Sequence, residues 1–189
     1  GALCSAILES ASPASVVGVE PSEGFLETAR AHLADRATLH QGDAMKLPLG
    51  EACVDVAVSG LVLNFVPDPR AALAEISRVA VGGATVGAYV WDYAGRMELM
   101  RHFWDAAAAL DPAAAGLDEG VRFPLCRPDP LRALFEAGGF RAIELSPLEI
   151  ATPFASFDDY WEPFLGGQGP APAYAMSLDE PARQRLRER

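Results

Sequence analysis

Between residue 1 and about residue 92, short β-branched runs alternate with amphipathic stretches, and that alternation restricts the chain to an α/β fold around a parallel sheet. Val16-Val17-Gly18-Val19 is a brief apolar run ending at Glu20-Pro21, the pattern of a strand buried on both faces. Ser22 then caps a helix with Glu23 in its first turn and with Phe25, Leu26, Ala29 and Leu33 on one face, stopping near Asp35. Thr38 to Gln41 is a short, weak strand closed by Gly42-Asp43. Val54 to Ser59 alternates and runs into Gly60, and Pro67 and Pro69 bracket the start of a helix that turns Ala72, Leu73, Ile76 and Val79 inward. Gly82-Gly83 is expected to end that helix. Ala84 to Trp91 is the strongest strand by residue type, and a helix from about Arg96 to Leu110 follows with Met97, Met100, Phe103, Trp104 and Ala107 at helical intervals.

Beyond that point the style changes. Residues 111 to 128 read as a loop, Pro130 to Ala137 as a helix stopped by Gly138-Gly139, and Arg141 to Ile150 as one more strand. Asp158 to Leu165 and Ser177 to Glu188 read as helices separated by a glycine- and proline-rich loop at 166 to 172. No repeat or linker interrupts the chain, so residues 1 to 189 are expected to form one domain.

The charge balance narrows the partners. With 26 acidic against 15 basic residues the formal charge is -11, so a phosphate backbone or an anionic membrane meets net repulsion, and nucleic acid is not an expected partner. No run approaches the roughly 18 uninterrupted apolar residues of a membrane span, and the first ten residues carry Glu9 without a basic leader, which gives a cytoplasmic expectation. Cys4, Cys53 and Cys126 never stand in a C-x-x-C spacing, so neither a disulfide framework nor a zinc site is expected; they read as buried thiols. Richness in alanine and arginine, with Lys46 as the sole lysine, fits a GC-rich bacterial genome.

In an open parallel sheet, ligands bind beyond the carboxyl ends of the strands. The chemically unusual residues fall there: Glu20, Asp43, the Ser59 to Asn64 stretch and Trp91-Asp92-Tyr93 each follow a predicted strand. Glu20 can accept both hydroxyls of a ribose, and it stands 19 residues after Gly1, close to the offset of about 20 between a glycine-rich turn and a ribose-binding acid. Asp43, within Gly42-Asp43-Ala44-Met45-Lys46-Leu47-Pro48, can accept from an exocyclic amine while a neighbouring amide donates to a ring nitrogen and Ala44 and Met45 flank the ring.

The order Val-Gly-Val-Glu-Pro-Ser, Gln-Gly-Asp-Ala-Met-Lys-Leu-Pro and Val-Asp-Val-Ala-Val-Ser-Gly-Leu-Val-Leu-Asn-Phe-Val-Pro-Asp-Pro resembles the class I S-adenosylmethionine-dependent methyltransferases, in particular the small-molecule type 11 group. Ala84 to Val90 after Gly82-Gly83, and the later Ala137-Gly138-Gly139-Phe140, continue the likeness, which is clear over residues 1 to 93 and looser to 150. The resemblance implies a Rossmann-like, mostly parallel sheet with helices on both faces, here without the family's first, central strand and its last strand. It implies a cofactor-binding half at 1–93 and a substrate-side half at 94–189 with lid-like helices at about 96–125 and 154–189. Glu20, beside Pro21, would bind the ribose hydroxyls of S-adenosylmethionine, Asp43, after Gly42, the adenine amine, and Ala44 and Met45 would flank the base. Ser59, Gly60 and Leu61 would line the wall near the methionine part, and Gly1 would be the last glycine of the cofactor loop, with Ala2 and Leu3 opening the helix behind it. The family often has histidine where Asn64 stands, so a proton-transfer role at that position is not carried over. Since strands flanking an absent central strand lose hydrogen-bond partners, this segment expressed alone is expected to aggregate or to bind cofactor poorly.

The implied function is methyl transfer to a small-molecule acceptor by in-line displacement, which needs alignment and exclusion of water but no fixed catalytic residue. If a base assists, His102, Asp92 and Tyr93 are the candidates. The aromatic residues Phe103, Trp104, Phe123, Phe154, Phe157, Tyr160, Trp161 and Phe164 would form either a core or an apolar lid. Alternatives are a non-catalytic cofactor-binding or regulatory module on the same fold and a Rossmann-type oxidoreductase. The short-chain dehydrogenase subclass is excluded because it needs Tyr-x-x-x-Lys and Gly42 stands four residues before the only lysine. Ala57-Val58-Ser59-Gly60-Leu61 lacks the glycines of a nucleophile elbow, and no P-loop is present.

Overall fold

The chain begins with helix α1 (Ala2–Ala11), whose first turn meets a second helix closely: a Cβ built on Gly1 would lie 3.3 Å from Ala29 Cα. Strand β1 (Val17–Glu20), helix α2 (Glu23–Leu33) and strand β2 (Thr38–Gln41) make the first strand–helix–strand passage. Ser22 caps α2 through Phe25 N as expected, and Leu26, Ala29 and Leu33 are buried beneath it. Phe25 is not, being 70% exposed, because it lies a turn too far round from the face that meets the strands. Strand β3 (Val54–Gly60), helix α3 (Pro69–Val79) and strand β4 (Ala80–Tyr89) form the second passage, with Ala72, Leu73 and Val79 buried. Asp68 caps α3 by accepting from Arg70 N at 3.0 Å and Ala71 N at 3.1 Å, with Pro69 at the first helical position. All residues from Gly1 to Arg189 are described in this computed structural model.

Both strand pairs are parallel. β1 runs beside β2 from Val17 opposite Thr38 to Glu20 opposite Gln41, and β3 runs beside β4 up to Gly60 opposite Tyr89. They form two separate two-stranded sheets, so β1 and β3 each present an unpaired edge. The reading of β1 as buried on both faces is corrected: Val16 is buried, whereas Val17 is 40% exposed. Gly82-Gly83 does not end α3. The pair lies inside β4, where Gly83 takes φ +87 and the register slips between Val54 and Val56.

Gly1–Tyr89 forms one compact unit and Val90–Arg189 a second. Its spine is α4 (Glu98–Leu110), which buries Met100, Phe103, Trp104 and Ala107. The short α5 (Glu119–Arg122), α6 (Pro128–Ala137), α7 (Phe157–Trp161), α8 (Pro170–Ser177) and α9 (Glu180–Glu188) complete it, with single turns of tighter helix between them. Three expectations fail here. Residues 111 to 128 contain helical turns as well as loop, and α8 starts at Pro170, inside the stretch read as a loop. Arg141 to Ile150 joins no sheet, and Leu148 and Ile150 are 76% and 73% exposed.

The aromatic residues of this unit divide. Phe103, Trp104, Trp161, Phe164 and Tyr174 are core, with Phe103 stacked on Phe164 at 4.5 Å between ring centres, while Phe154 and Phe157 stay substantially exposed. Glu119 is buried under them and held by Trp104 Nε1 and by Ala171 N at 3.2 Å, while Asp118 takes Arg101 in a two-pronged ion pair. The three cysteines are not uniformly buried. Cys126 is, and burial pushes its thiol up to about 11, but Cys53 is exposed with its thiol donating to Gly50 O, and Cys4 is half-buried. No helix is long and apolar enough to cross a membrane, and no cluster of His, Cys, Asp or Glu is arranged to hold a metal.

Candidate functional site

The first strand pair brings Glu20 and Asp43 to neighbouring tips. Glu20 lies opposite Gln41, and Gly42 N donates back to Glu20 O at 3.2 Å, so the two acids leave the sheet from adjacent carboxyl ends. Each carboxylate is oriented by its own turn. Ser22 N donates to Glu20 Oε1 at 3.0 Å and Met45 N to Asp43 Oδ1 at 2.7 Å, which leaves Glu20 Oε2 and Asp43 Oδ2 to accept from a ligand. Gly42 is a packing requirement: a Cβ there would stand 2.8 Å from Pro48 Cδ and 3.1 Å from Val19 Cγ1. Gln41 Nε2 reaches Pro21 O at 3.3 Å and ties the two exits together, while Ala44 and Met45 lie half-buried in the turn that follows.

A clasp that the sequence did not announce fixes this turn. Arg78 on α3 pairs with Glu75 through Nε at 2.7 Å and Nη2 at 2.8 Å, and also donates to Leu49 O at 2.9 Å and Leu47 O at 3.2 Å. Glu75 Oε2 in turn accepts from Leu47 N at 2.8 Å. The hydrogen bonds from Arg78 hold the Glu75 carboxyl at about 2, well below the usual carboxylate range. An i,i+3 acid–base pair on a helix is so common on solvated faces that only its partners here, the backbone of residues 47 and 49, distinguish it.

The second strand pair supplies the other exit. Ser59 and Gly60 end β3, and Leu61 continues with φ 56, a left-handed backbone that leucine rarely adopts, while donating its N–H to Tyr89 O at 2.9 Å. Tyr89 lies directly over Gly60, so that a Cβ there would collide with the phenol ring, Cζ being 2.6 Å away. Sequence reasoning treated Tyr89 as an ordinary strand residue. The adjacency of a glycine and an aromatic at paired strand ends is visible only once the register is known.

Residues 1–86, including both passages, match the family described as methyltransferase domain. Residues 1–86, just under half of the chain, are thus similar to a methyltransferase domain. It is 36% identical over 77 residues to demethylmenaquinone methyltransferase of Lactiplantibacillus plantarum, an overlap that covers 38% of this chain and 32% of that protein. The chain therefore spans well under two thirds of the curated relative it matches. In structure it superposes on a chain from the complex of the Haloferax volcanii Trm112 methyltransferase activator with a methyltransferase, at TM-score 0.57 and 21% identity over 80% of this chain and 63% of that one. A protein of Anabaena variabilis, described as a methyltransferase from an antibiotic biosynthesis pathway, gives TM-score 0.57 at 16% identity over 99% and 83% of the two chains. At these identities the superpositions establish the Rossmann-like methyltransferase fold.

Other expected residues of the methyltransferase domain fall as follows. Gly1 packs against Ala29 at the start of α1. Asp92 is exposed and committed to a turn, with Oδ2 accepting from Arg96 N at 2.9 Å. Tyr93 is buried, and desolvation, aided by Glu119, pushes its phenol up to about 12, which suits a structural group better than a base at neutral pH. His102 is exposed on α4. Asn64 lies buried in the helical turn Leu63–Phe65, and neither its Oδ1 nor its Nδ2 has a hydrogen-bond partner.

Proposed function

We propose that the protein transfers a methyl group from S-adenosylmethionine to a small-molecule acceptor, with Glu20 holding the ribose hydroxyls and Asp43 the adenine amine of one adenosine. The observation that carries this reading is the pairing of Glu20 with Gln41 and of Gly42 N with Glu20 O, which sets the two acids at adjacent parallel strand tips. The residues fit the group on their own terms: each acid has one oxygen held by its own turn and the other left to accept from a ligand. Ala44 and Met45 flank the base in this reading, Pro21 stiffens the exit behind Glu20, and Ser59, Gly60 and Leu61 line the methionine side, with Gly1 at the cofactor loop.

The cofactor, when bound, supplies an already activated methyl electrophile. The chain's own contribution is to orient the nucleoside through Glu20 and Asp43, to steady the Asp43 turn through Arg78 and Glu75, and to shield the reacting centre from water. No side chain of the chain is assigned as a general base. A charge of -11 disfavours a nucleic-acid acceptor, and a small molecule is the acceptor class we propose, in a cytoplasmic bacterial protein formed as one domain of two halves.

Calorimetry with S-adenosylhomocysteine tests the reading. Glu20→Ala and Asp43→Ala should each weaken binding by roughly 10- to 100-fold, as for loss of charge-assisted hydrogen bonds. Unchanged affinity in both variants would refute the assignment. Transfer of labelled methyl from S-adenosylmethionine into pooled small molecules then identifies the acceptor.

A further inference from the structure

Three costly features meet in the stretch Gly60–Asn64: a glycine overlaid by Tyr89, a leucine at φ 56, and a buried carboxamide without partners. The third is the hardest to explain as packing. Asn64 is 8% exposed, solvent reaches neither of its polar atoms, and folded proteins satisfy the great majority of buried polar side-chain atoms. Local structure does not use it. The turn Leu63–Phe65 is closed by Phe65 N donating to Val62 O at 2.8 Å, and the next helix is capped by Asp68. A leucine has the same branching at Cγ and leaves no polar atom unpaired, at the cost of two bulkier methyl groups.

We infer that the Asn64 carboxamide is an acceptor-recognition group that reads a neutral, planar function carrying an N–H or O–H donor beside a carbonyl acceptor, as in a lactam, an amide or an enolised dicarbonyl. This rests on the methyltransferase reading above. A carboxamide offers one carbonyl and one NH₂ side by side, the complement of such a function. The choice of acceptor over cofactor follows from charge and place. Asn64 lies in the turn Leu63–Phe65 that follows β3, whereas the two acids follow β1 and β2, and its buried neighbour in the turn, Leu63, carries no charge. The zwitterionic end of the cofactor would call for charged partners, whereas a neutral amide suits a neutral group. Val62, two residues earlier in the chain and 46% exposed, supplies apolar surface for the rest of such a molecule. Because both polar atoms are enclosed, the ligand enters as the 61–66 stretch shifts, and the left-handed Leu61 makes that shift easier by relaxing as it occurs.

The test uses the protein in its native sequence context, flanking residues kept, with saturating S-adenosylhomocysteine and two probes, 2-pyridone and N-methyl-2-pyridone, in which a methyl group replaces the N–H donor. Wild type should bind 2-pyridone at least about tenfold more tightly, the loss expected from one or two hydrogen bonds, and titration should move the Asn64 side-chain NH₂ resonances. Asn64→Leu should erase the difference between probes, keep its affinity for S-adenosylhomocysteine, and melt about 3–8 °C higher without ligands. Equal binding of the two probes by wild type overturns the inference. A higher melting temperature in Asn64→Leu with probe discrimination intact does so too, since it marks the carboxamide as a structural defect or a seat for water. Wild type that fails to bind S-adenosylhomocysteine overturns the methyltransferase reading, and this inference with it.

Discussion

At the residue scale, Gly42 and Glu75 carry more of the site than their positions advertise. A methyl group on Gly42 would have to displace Pro48 or Val19, both in ordered backbone, so Gly42→Ala should destabilise the first unit by about 1–3 kcal/mol and weaken S-adenosylhomocysteine binding as the Asp43 turn moves. Melting curves and calorimetry on the same variant check both effects. The Glu75 carboxyl, depressed to about 2 by the Arg78 hydrogen bonds, has an unfolded value near 4.5. A lowered carboxylate stabilises the fold above its unfolded value, and that contribution is lost as pH falls from about 4.5 toward 2. Stability measured by chemical denaturation across this window should therefore drop more steeply in wild type than in Glu75→Gln. Glu20 and Asp43 were legible in the sequence because strand ends followed by Pro or preceded by Gly announce themselves. Arg78, Glu75 and Tyr89 were not, since their importance lies in which backbone or glycine they meet, and that depends on register and on contacts some 30 residues apart in the chain.

At the element scale, helices declared themselves better than strands. α3 has a cap, an N-terminal proline and a regular apolar stripe, each a local signal, and it lies where these place it. Asp68→Ala should remove two capping bonds and cost about 1 kcal/mol, seen as a fall of about 2–4 °C in melting temperature, whereas Asp68→Ser should recover most of the loss. The strand expected over 141 to 150 has suitable residues but no partner, and strandness is a property of pairs, which composition does not contain. β4 failed in the opposite sense: it starts four residues earlier than its β-branched run because Gly82 and Gly83 can be absorbed as an irregularity inside a strand as readily as at a helix end.

At the scale of the molecule, two units are held by different means. Gly1–Tyr89 relies on small parallel sheets and a few buried aliphatic residues, while Val90–Arg189 is packed around aromatic rings. In the second unit Tyr93 and Tyr160 have phenols pushed up to about 12 by burial, and Tyr160 donates to Leu99 O at 2.8 Å. An unfolded phenol ionises near 10, so the stability of this unit should hold below that pH and fall as pH rises from about 10 toward 12. Ultraviolet titration should then show these tyrosines ionising together with unfolding, and Tyr160→Phe should separate part of the absorbance change from it. The fold family was readable because four motifs recur in order along the first unit; the second offered helices but no order of motifs.

Arg78 and Glu75 take hold of the stretch after β2 through main-chain atoms of Leu47 and Leu49, atoms that every amino acid but proline possesses. The mooring is thus blind to the side chains it secures. Side chains along this stretch can therefore be exchanged without loosening its attachment to α3.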